Sequence, residues 1–93
     1  MAVGTKTGQA GTLESCDARV IVELTDSDEL TISVEGPMKE VFGPAVSKVA
    51  ESTLNKLKVK GARVKIVDRG ALDYVIEART AVAVARARAE SGE

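Results

Sequence analysis

The amino-acid sequence predicts an α+β fold: an antiparallel sheet in β-β-β-α-β-α order, with two helices packed on one face. Three observations predict it. Apolar and polar residues alternate over residues 18–24, 30–35 and 62–66, the period of half-buried strands. Two longer stretches, one from Met38 and one from Leu72, repeat apolar residues at spacings of three and four, the period of a helix. The links between the first strands are short, which favours an antiparallel meander. A sheet with one apolar face and helices covering it is the economical way to bury both kinds of stripe.

In chain order, residues 1–8 are small, polar and rich in Gly and Thr, and read as a flexible N-terminal arm. Residues 9–14 read as the first strand. In the second, Ala18, Val20, Val22 and Leu24 share one face, and Arg19, Ile21 and Glu23 the other. Thr25-Asp26-Ser27-Asp28-Glu29 is a polar turn, after which Leu30, Ile32 and Val34 alternate with Thr31, Ser33 and Glu35. Gly36-Pro37 breaks that run. Phe42, Val46, Val49, Ala50, Thr53, Leu54 and Leu57 then make one helical stripe. Pro44 complicates it, because a proline inside a helix loses a hydrogen bond and clashes with the preceding turn, at about 3 kcal/mol. Either the helix starts at Pro44, where proline is tolerated as the first residue, or one longer helix contains it; the pattern favours the first. Lys56, Lys58 and Lys60 suit the negative end of that helix. Gly61 restarts the chain as a strand with Ala62, Val64 and Ile66 inward. Asp68-Arg69-Gly70 turns it, and Leu72, Val75, Ala78, Val82, Ala85 and Ala89 mark an alanine-rich last helix.

Ninety-three residues make one domain, expected over 9–89, with a flexible C-terminal tail over 90–93. A chain of this length buries roughly 60–65% of its unfolded surface, so there is no room for a deep cleft between lobes. Phe42 and Tyr74 are its only aromatic residues. The core is therefore aliphatic, and single-strand nucleic-acid binding lacks its stacking platforms. A net charge of −1 is no electrostatic footprint for nucleic acid either. Residues 1–46 carry a balance of −5 and residues 47–93 a balance of +4; such a dipole could orient the domain on partners, although most of these charges read as plain solvated faces. Met1-Ala2-Val3-Gly4-Thr5-Lys6 has no apolar core of a signal peptide, and no apolar run approaches the ~20 residues that span a bilayer. A cytoplasmic location with no membrane association is expected, where the single cysteine, Cys16, stays reduced.

The chain has no histidine, so no Ser-His-Asp arrangement can be built within it. With one cysteine, a structural zinc site is excluded for the monomer, and no metal site is expected. Asp26, Asp28 and Glu29 lack the glycine and terminal glutamate of a calcium loop. No glycine-rich nucleotide fingerprint is present. What stands out is Ser15, in Gly11-Thr12-Leu13-Glu14-Ser15-Cys16-Asp17, a hydroxyl between two strand-like segments with an acid on either side. Taken alone it is a turn serine. A serine without a base is better suited to having something attached than to cutting. If Leu13 points inward, a continuing strand would bury Ser15 too, so exposure requires the strand to end or bulge by residue 14 or 15. A turn over Ser15-Cys16-Asp17 does that, with Asp17 satisfying backbone groups. A turn needing positive φ at Cys16 would be less comfortable than one with glycine there, and the neighbouring acids disfavour the Cys16 thiolate.

That segment resembles the attachment-site motif of the acyl carrier (gamma) subunits of citrate lyase. Residues 61–73, ending in Gly70-Ala71-Leu72-Asp73, and then Ala78-Arg79, resemble the same family in its order and spacing. The likeness covers roughly residues 9–88. It implies a non-catalytic carrier domain in which Ser15 bears, through a phosphodiester, 2'-(5''-phosphoribosyl)-3'-dephospho-CoA. Acetyl and citryl thioesters would be held on its thiol while citrate is cleaved to acetate and oxaloacetate in citrate fermentation. The implied partners are the alpha (acyl transferase) and beta (citryl-carrier lyase) subunits, a prosthetic-group transferase and an acetylating ligase. Arg63, Lys65, Arg69 and Arg79 are the basic groups nearest the second stretch, either outward charges or contacts for phosphates or partner acids. The carrier subunit of malonate decarboxylase, with the same type of arm, is the nearer alternative. A plain α+β interaction module without a prosthetic group is the more distant one.

Overall fold

The computed structural model describes residues 6–90. Its elements are β1 (Lys6–Ala10), β2 (Ala18–Leu24), β3 (Leu30–Glu35), α1 (Lys39–Lys56), β4 (Ala62–Asp68) and α2 (Asp73–Ala89), an α+β fold in the expected order. The sheet differs from the expectation in one respect. It is mixed, with strand order β1-β2-β4-β3. β4 runs antiparallel to β2 and parallel to β3. The second and third strands are therefore not neighbours: β4 sits between them, and residues 25–29 bridge across its start. The physical reason lies in burial. β4 buries Ala62, Val64, Ile66 and Asp68, whereas β3 has no fully buried residue. The more apolar strand takes the centre and the half-polar one the edge. α1 then serves as the crossover that a parallel β3–β4 pair requires.

Alternation was legible where it was clean. Ala18, Val20 and Val22 of β2 face the same core as Ala62, Val64 and Ile66 of β4. The helices cover this face, α2 lying over β1 and β2 and α1 over β3, with the two helices in contact. On the open face, cross-strand charges pair: Arg63 with Glu23 at 3.5 Å and Lys65 with Glu35 at 3.8 Å. Both pairs are solvated and contribute under about 1 kcal/mol each.

Three local expectations are corrected. The first strand is residues 6–10 rather than 9–14, so Lys6–Gly8 join the sheet; residues 1–5 of the expected arm and 91–93 of the expected tail lie outside the described residues. Pairing of Lys6–Ala10 with Leu24–Val20 sets this strand, and Gly8 lies within it. A side chain there would stand 2.1 Å from the Ala83 carbonyl oxygen of α2, so glycine lets the helix rest directly on β1. Next, α1 starts at Lys39 and contains Pro44. The proline leaves the Glu40 carbonyl without its helical donor, but Glu40 is exposed and water can replace it. Finally, α2 buries Ile76, Thr80, Ala83, Val84 and Ala87. Leu72, Ala78, Val82, Ala85 and Ala89 of the expected stripe are exposed. Alanine on every side of this helix leaves the periodicity with no single answer, and close approach to Gly8 selects the face.

Candidate functional site

The loop between β1 and β2 is built to leave a strand and turn. β1 ends at Ala10, and Gly11 bends the chain at φ 96°, where a Cβ would stand 1.8 Å from the Ala18 carbonyl oxygen. Leu13 is 47% exposed rather than inward. The Asp17 N–H donates to the Glu14 carbonyl at 3.2 Å, closing a four-residue turn with Ser15 and Cys16 at its corners. Cys16 has φ 64° while Ser15 does not share that positive sign. That is the arrangement of a type II turn, whose third residue is ordinarily glycine. Cysteine thus occupies the strained position, and its exposed thiol is incidental to the hydrogen bonding of the turn.

Ser15 is exposed, and its hydroxyl makes no hydrogen bond to any described group. The frame of the turn is tied together by its neighbours. The Thr12 hydroxyl donates to Asp17 Oδ2 at 2.7 Å and accepts from the Glu14 N–H at 3.2 Å. Asp17 Oδ1 accepts from the Ala18 N–H at 2.7 Å. Arg79 of α2 grips the same carboxylate with both arms of its guanidinium, Nε to Oδ1 at 3.0 Å and Nη2 to Oδ2 at 2.9 Å. Such a fork is the strong form of this pair. The Arg79 hydrogen bonds, followed by those from Thr12 and Ala18, hold the Asp17 carboxyl well below the usual carboxylate range. The turn is also tied to the end of β4: the Cys16 N–H donates to the Arg69 carbonyl at 2.7 Å, and the Arg69 N–H to the Asp17 carbonyl at 2.9 Å. Arg69 Nη1 donates to the Leu13 carbonyl at 3.2 Å.

The structure therefore brings Ser15, Arg69 and Arg79 to one end of the sheet. Arg63 and Lys65 stand on the open face against their own carboxylates. Sequence reasoning found Ser15 and the turn, and gave Asp17 a backbone role that its bond to Ala18 fulfils. It missed the Asp17–Arg79 fork, because 62 residues separate the partners and no local pattern joins them. It also placed Phe42 in the core, whereas that ring is exposed near the same end. Among the described residues no group of three or more acids or cysteines is placed to hold a metal ion, and no helix is long and apolar enough to cross a membrane. Among the described residues no base is hydrogen-bonded to the Ser15 hydroxyl, which is accessible and has Arg69 and Arg79 at the base of its turn.

Known proteins resemble this chain over most of its length. The family model described as malonate decarboxylase delta subunit (MdcD) matches residues 5–87. The citrate lyase acyl carrier protein of Streptococcus mutans is 46% identical over 82 residues, 88% of this chain and 80% of that protein. The protein of the same name from Fusobacterium nucleatum is 43% identical over 86 residues, covering 92% of this chain and 90% of its own length. That of Streptococcus pyogenes is 42% identical over 82 residues.

Proposed function

The chain belongs to the acyl carrier family of citrate lyase and malonate decarboxylase subunits, and from that premise we propose that it is the acyl carrier subunit of citrate lyase, with Ser15 as the attachment point of its prosthetic group. The observation that carries this reading is the contrast at the turn: an exposed, unengaged Ser15 hydroxyl inside a frame held by the bonds of Thr12, Asp17, Arg69 and Arg79. The residues present fit a phosphodiester-linked arm such as 2'-(5''-phosphoribosyl)-3'-dephospho-CoA. The Ser15 oxygen is free to form the ester bond. Arg69 bonds only a carbonyl, with no carboxylate partner among the described residues, and can face the phosphate. When bound, the group supplies a thiol on which an acyl group is carried.

The chain's own residues do the positioning. Asp17, Arg79 and Arg69 fix the turn, so the arm swings from a rigid root. Tethering makes delivery to each catalytic partner intramolecular, with an effective concentration set by arm length. Activation of the Ser15 hydroxyl is left to the modifying transferase, since this chain has no histidine. The catalytic steps fall to the alpha and beta subunits, with an acetylating ligase charging the thiol, and the expected setting is the cytoplasm. The names of the relatives favour citrate lyase. The description of the family model keeps malonate decarboxylase as a second reading, since the same type of arm would serve it.

Intact-mass measurement tests the site. Protein from its native host grown on citrate should carry the mass of the arm, and Ser15→Ala should remove it completely. An adduct that survives Ser15→Ala moves the site elsewhere, and an unmodified chain from such cells ends the carrier reading. Reconstitution with citrate lyase alpha and beta subunits then separates the two complexes: restored citrate cleavage is expected, and restoration only of malonate decarboxylase by its own subunits selects the second reading.

A further inference from the structure

Beside the Ser15 turn lies a groove that the attachment role leaves unused. It is an open hollow of about 640 Å³ between the start of α1 and the β4–α2 connection. Phe42 and Tyr74 line it, and they are the only aromatic residues in the chain. Both are more than half exposed, at 52% and 68%, and Leu72 beside them is 60% exposed. A small domain with an aliphatic core has strong reason to place its few large rings inside. Here both line one hollow, Phe42 from α1 and Tyr74 from α2. The rest of the lining includes the small residues Ala45, Gly70 and Ala71 and the buried Val46 and Asp68. Gly70 has open space where a side chain would stand. Two exposed rings in a hollow with several small lining residues suit a flat ligand.

The chain also shows which flat ligand is within reach. Gly70 directly follows Arg69, whose carbonyl is bonded to the Cys16 N–H and whose guanidinium is bonded to the carbonyl of Leu13. The near wall of the groove is therefore at most about 16 Å from Ser15, counting one cross-strand step and three chain steps. The arm that the proposed function attaches to Ser15 has one phosphate and two riboses between the serine oxygen and its adenine. We infer that this groove binds the adenine of the arm, stacked against Tyr74 and Phe42, with Arg69 facing the phosphate at the root; the inference rests on the carrier reading. Asp68 and Asp73 also line the groove; Asp68 Oδ1 is taken up by the Gly70 and Ala71 N–H groups, while the Asp73 carboxylate can accept from the exocyclic amine of adenine, and both keep phosphate out of the groove. Docking the nucleotide part would leave only the thiol-bearing part to swing, shortening the search between partner sites.

Tyr74 is the only tyrosine and the chain has no tryptophan, so tyrosine emission reports on this groove alone. The experiment compares the full chain before and after installation of the arm, with loading established by intact mass. Stacking predicts that emission of the loaded protein falls to roughly half or less, and that Phe42→Ala restores much of it. In NMR spectra of the loaded protein, contacts should join adenine protons to the Tyr74 ring. A protein loaded at Ser15 whose emission and ring shifts match the unloaded chain overturns the inference and leaves the carrier reading intact; the groove then belongs to a partner subunit. Failure to load Ser15 at all overturns both.

Discussion

Among the described residues, two other than glycine adopt a left-handed backbone, Cys16 at φ 64° and Lys58 at φ 61°. They sit at opposite ends of the sheet and are held by different means. Lys58 closes α1. Its N–H donates to the Asn55 carbonyl at 3.1 Å, and the Val59 N–H donates to the Leu54 carbonyl at 3.0 Å. Those two bonds, with Val59 and Leu54 both in the core, form a Schellman cap, in which a left-handed residue is the normal way to end a helix. The bonds that offset the cost come from within five residues. The Cys16 corner has local bonds too, from Asp17 to Glu14 and through the Thr12 hydroxyl, but it is also anchored by Arg69 and Arg79, more than fifty residues away. A helix stop can be local because nothing depends on where it points. A turn that presents one hydroxyl has to be oriented relative to the whole domain, and only distant elements can do that.

Gly11→Ala should break the Cys16 corner with the largest effect. A Cβ there meets the Ala18 backbone at 1.8 Å and the residue also has φ 96°. Overpacking against backbone plus left-handed strain predicts a loss of roughly 3 kcal/mol or more. Gly70→Ala keeps the strain without the clash, since nothing stands within 4 Å, and should cost only about 1 kcal/mol. Urea denaturation of the two variants measures the difference. Equal losses would mean that the close approach of Gly11 to Ala18 contributes nothing.

Asp17→Asn comes next and isolates the distant anchor. Arg79, Thr12 and the Ala18 N–H depress the Asp17 carboxyl in the folded state. A group with a lowered folded pKa stabilises the fold above its unfolded value, about 4, and loses that contribution as pH falls through the folded value. The stability gap between wild type and Asp17→Asn should therefore be full at pH 7 and shrink as pH drops below about 4. Amide exchange should quicken at Cys16 and Arg69 in the variant and stay unchanged at Lys58 and Val59. Quickening at both ends would show that the two corners are not independent.

The same contrast accounts for what was legible in the sequence. Ser15, its turn and the strands over 18–24 and 62–66 follow from local periodicity and turn chemistry, and the structure has them, the last running on to Asp68. The sheet order did not follow, because alternation marks Leu30, Ile32 and Val34 as a strand face without saying which strand lies beside it. The start of α1 was misjudged because the proline rule assumes a helix whose carbonyls need their donors, and Glu40 stands in water. The face of α2 was set by Gly8, seventy-five residues before Ala83. At the site, the exposed hydroxyl was readable and the Asp17–Arg79 fork was not. Apart from the start of α1, each of these misses is a long-range choice that a local pattern leaves open.

The smallest expected effects test the comparison most directly. Lys58→Gly removes a left-handed cost of about 1 kcal/mol and adds somewhat less than that in unfolded-chain entropy, so it should stabilise by about 0.5 kcal/mol. Cys16→Gly involves the same two quantities and should stabilise by about the same amount if its frame holds the turn unaided. The two corners then part on dynamics. Glycine at position 58 leaves a cap closed by its own helix, and exchange of the Val59 amide should not change. Glycine at position 16 keeps the Arg69 and Arg79 anchors, so exchange of the Cys16-position and Asp17 amides should hold as well, and the rate at which Ser15 is loaded should stay within about twofold of wild type. If loading slows sharply while stability rises, cysteine at this corner contributes stiffness that the distant anchors do not supply, and the turn depends on its own backbone as much as the helix stop does.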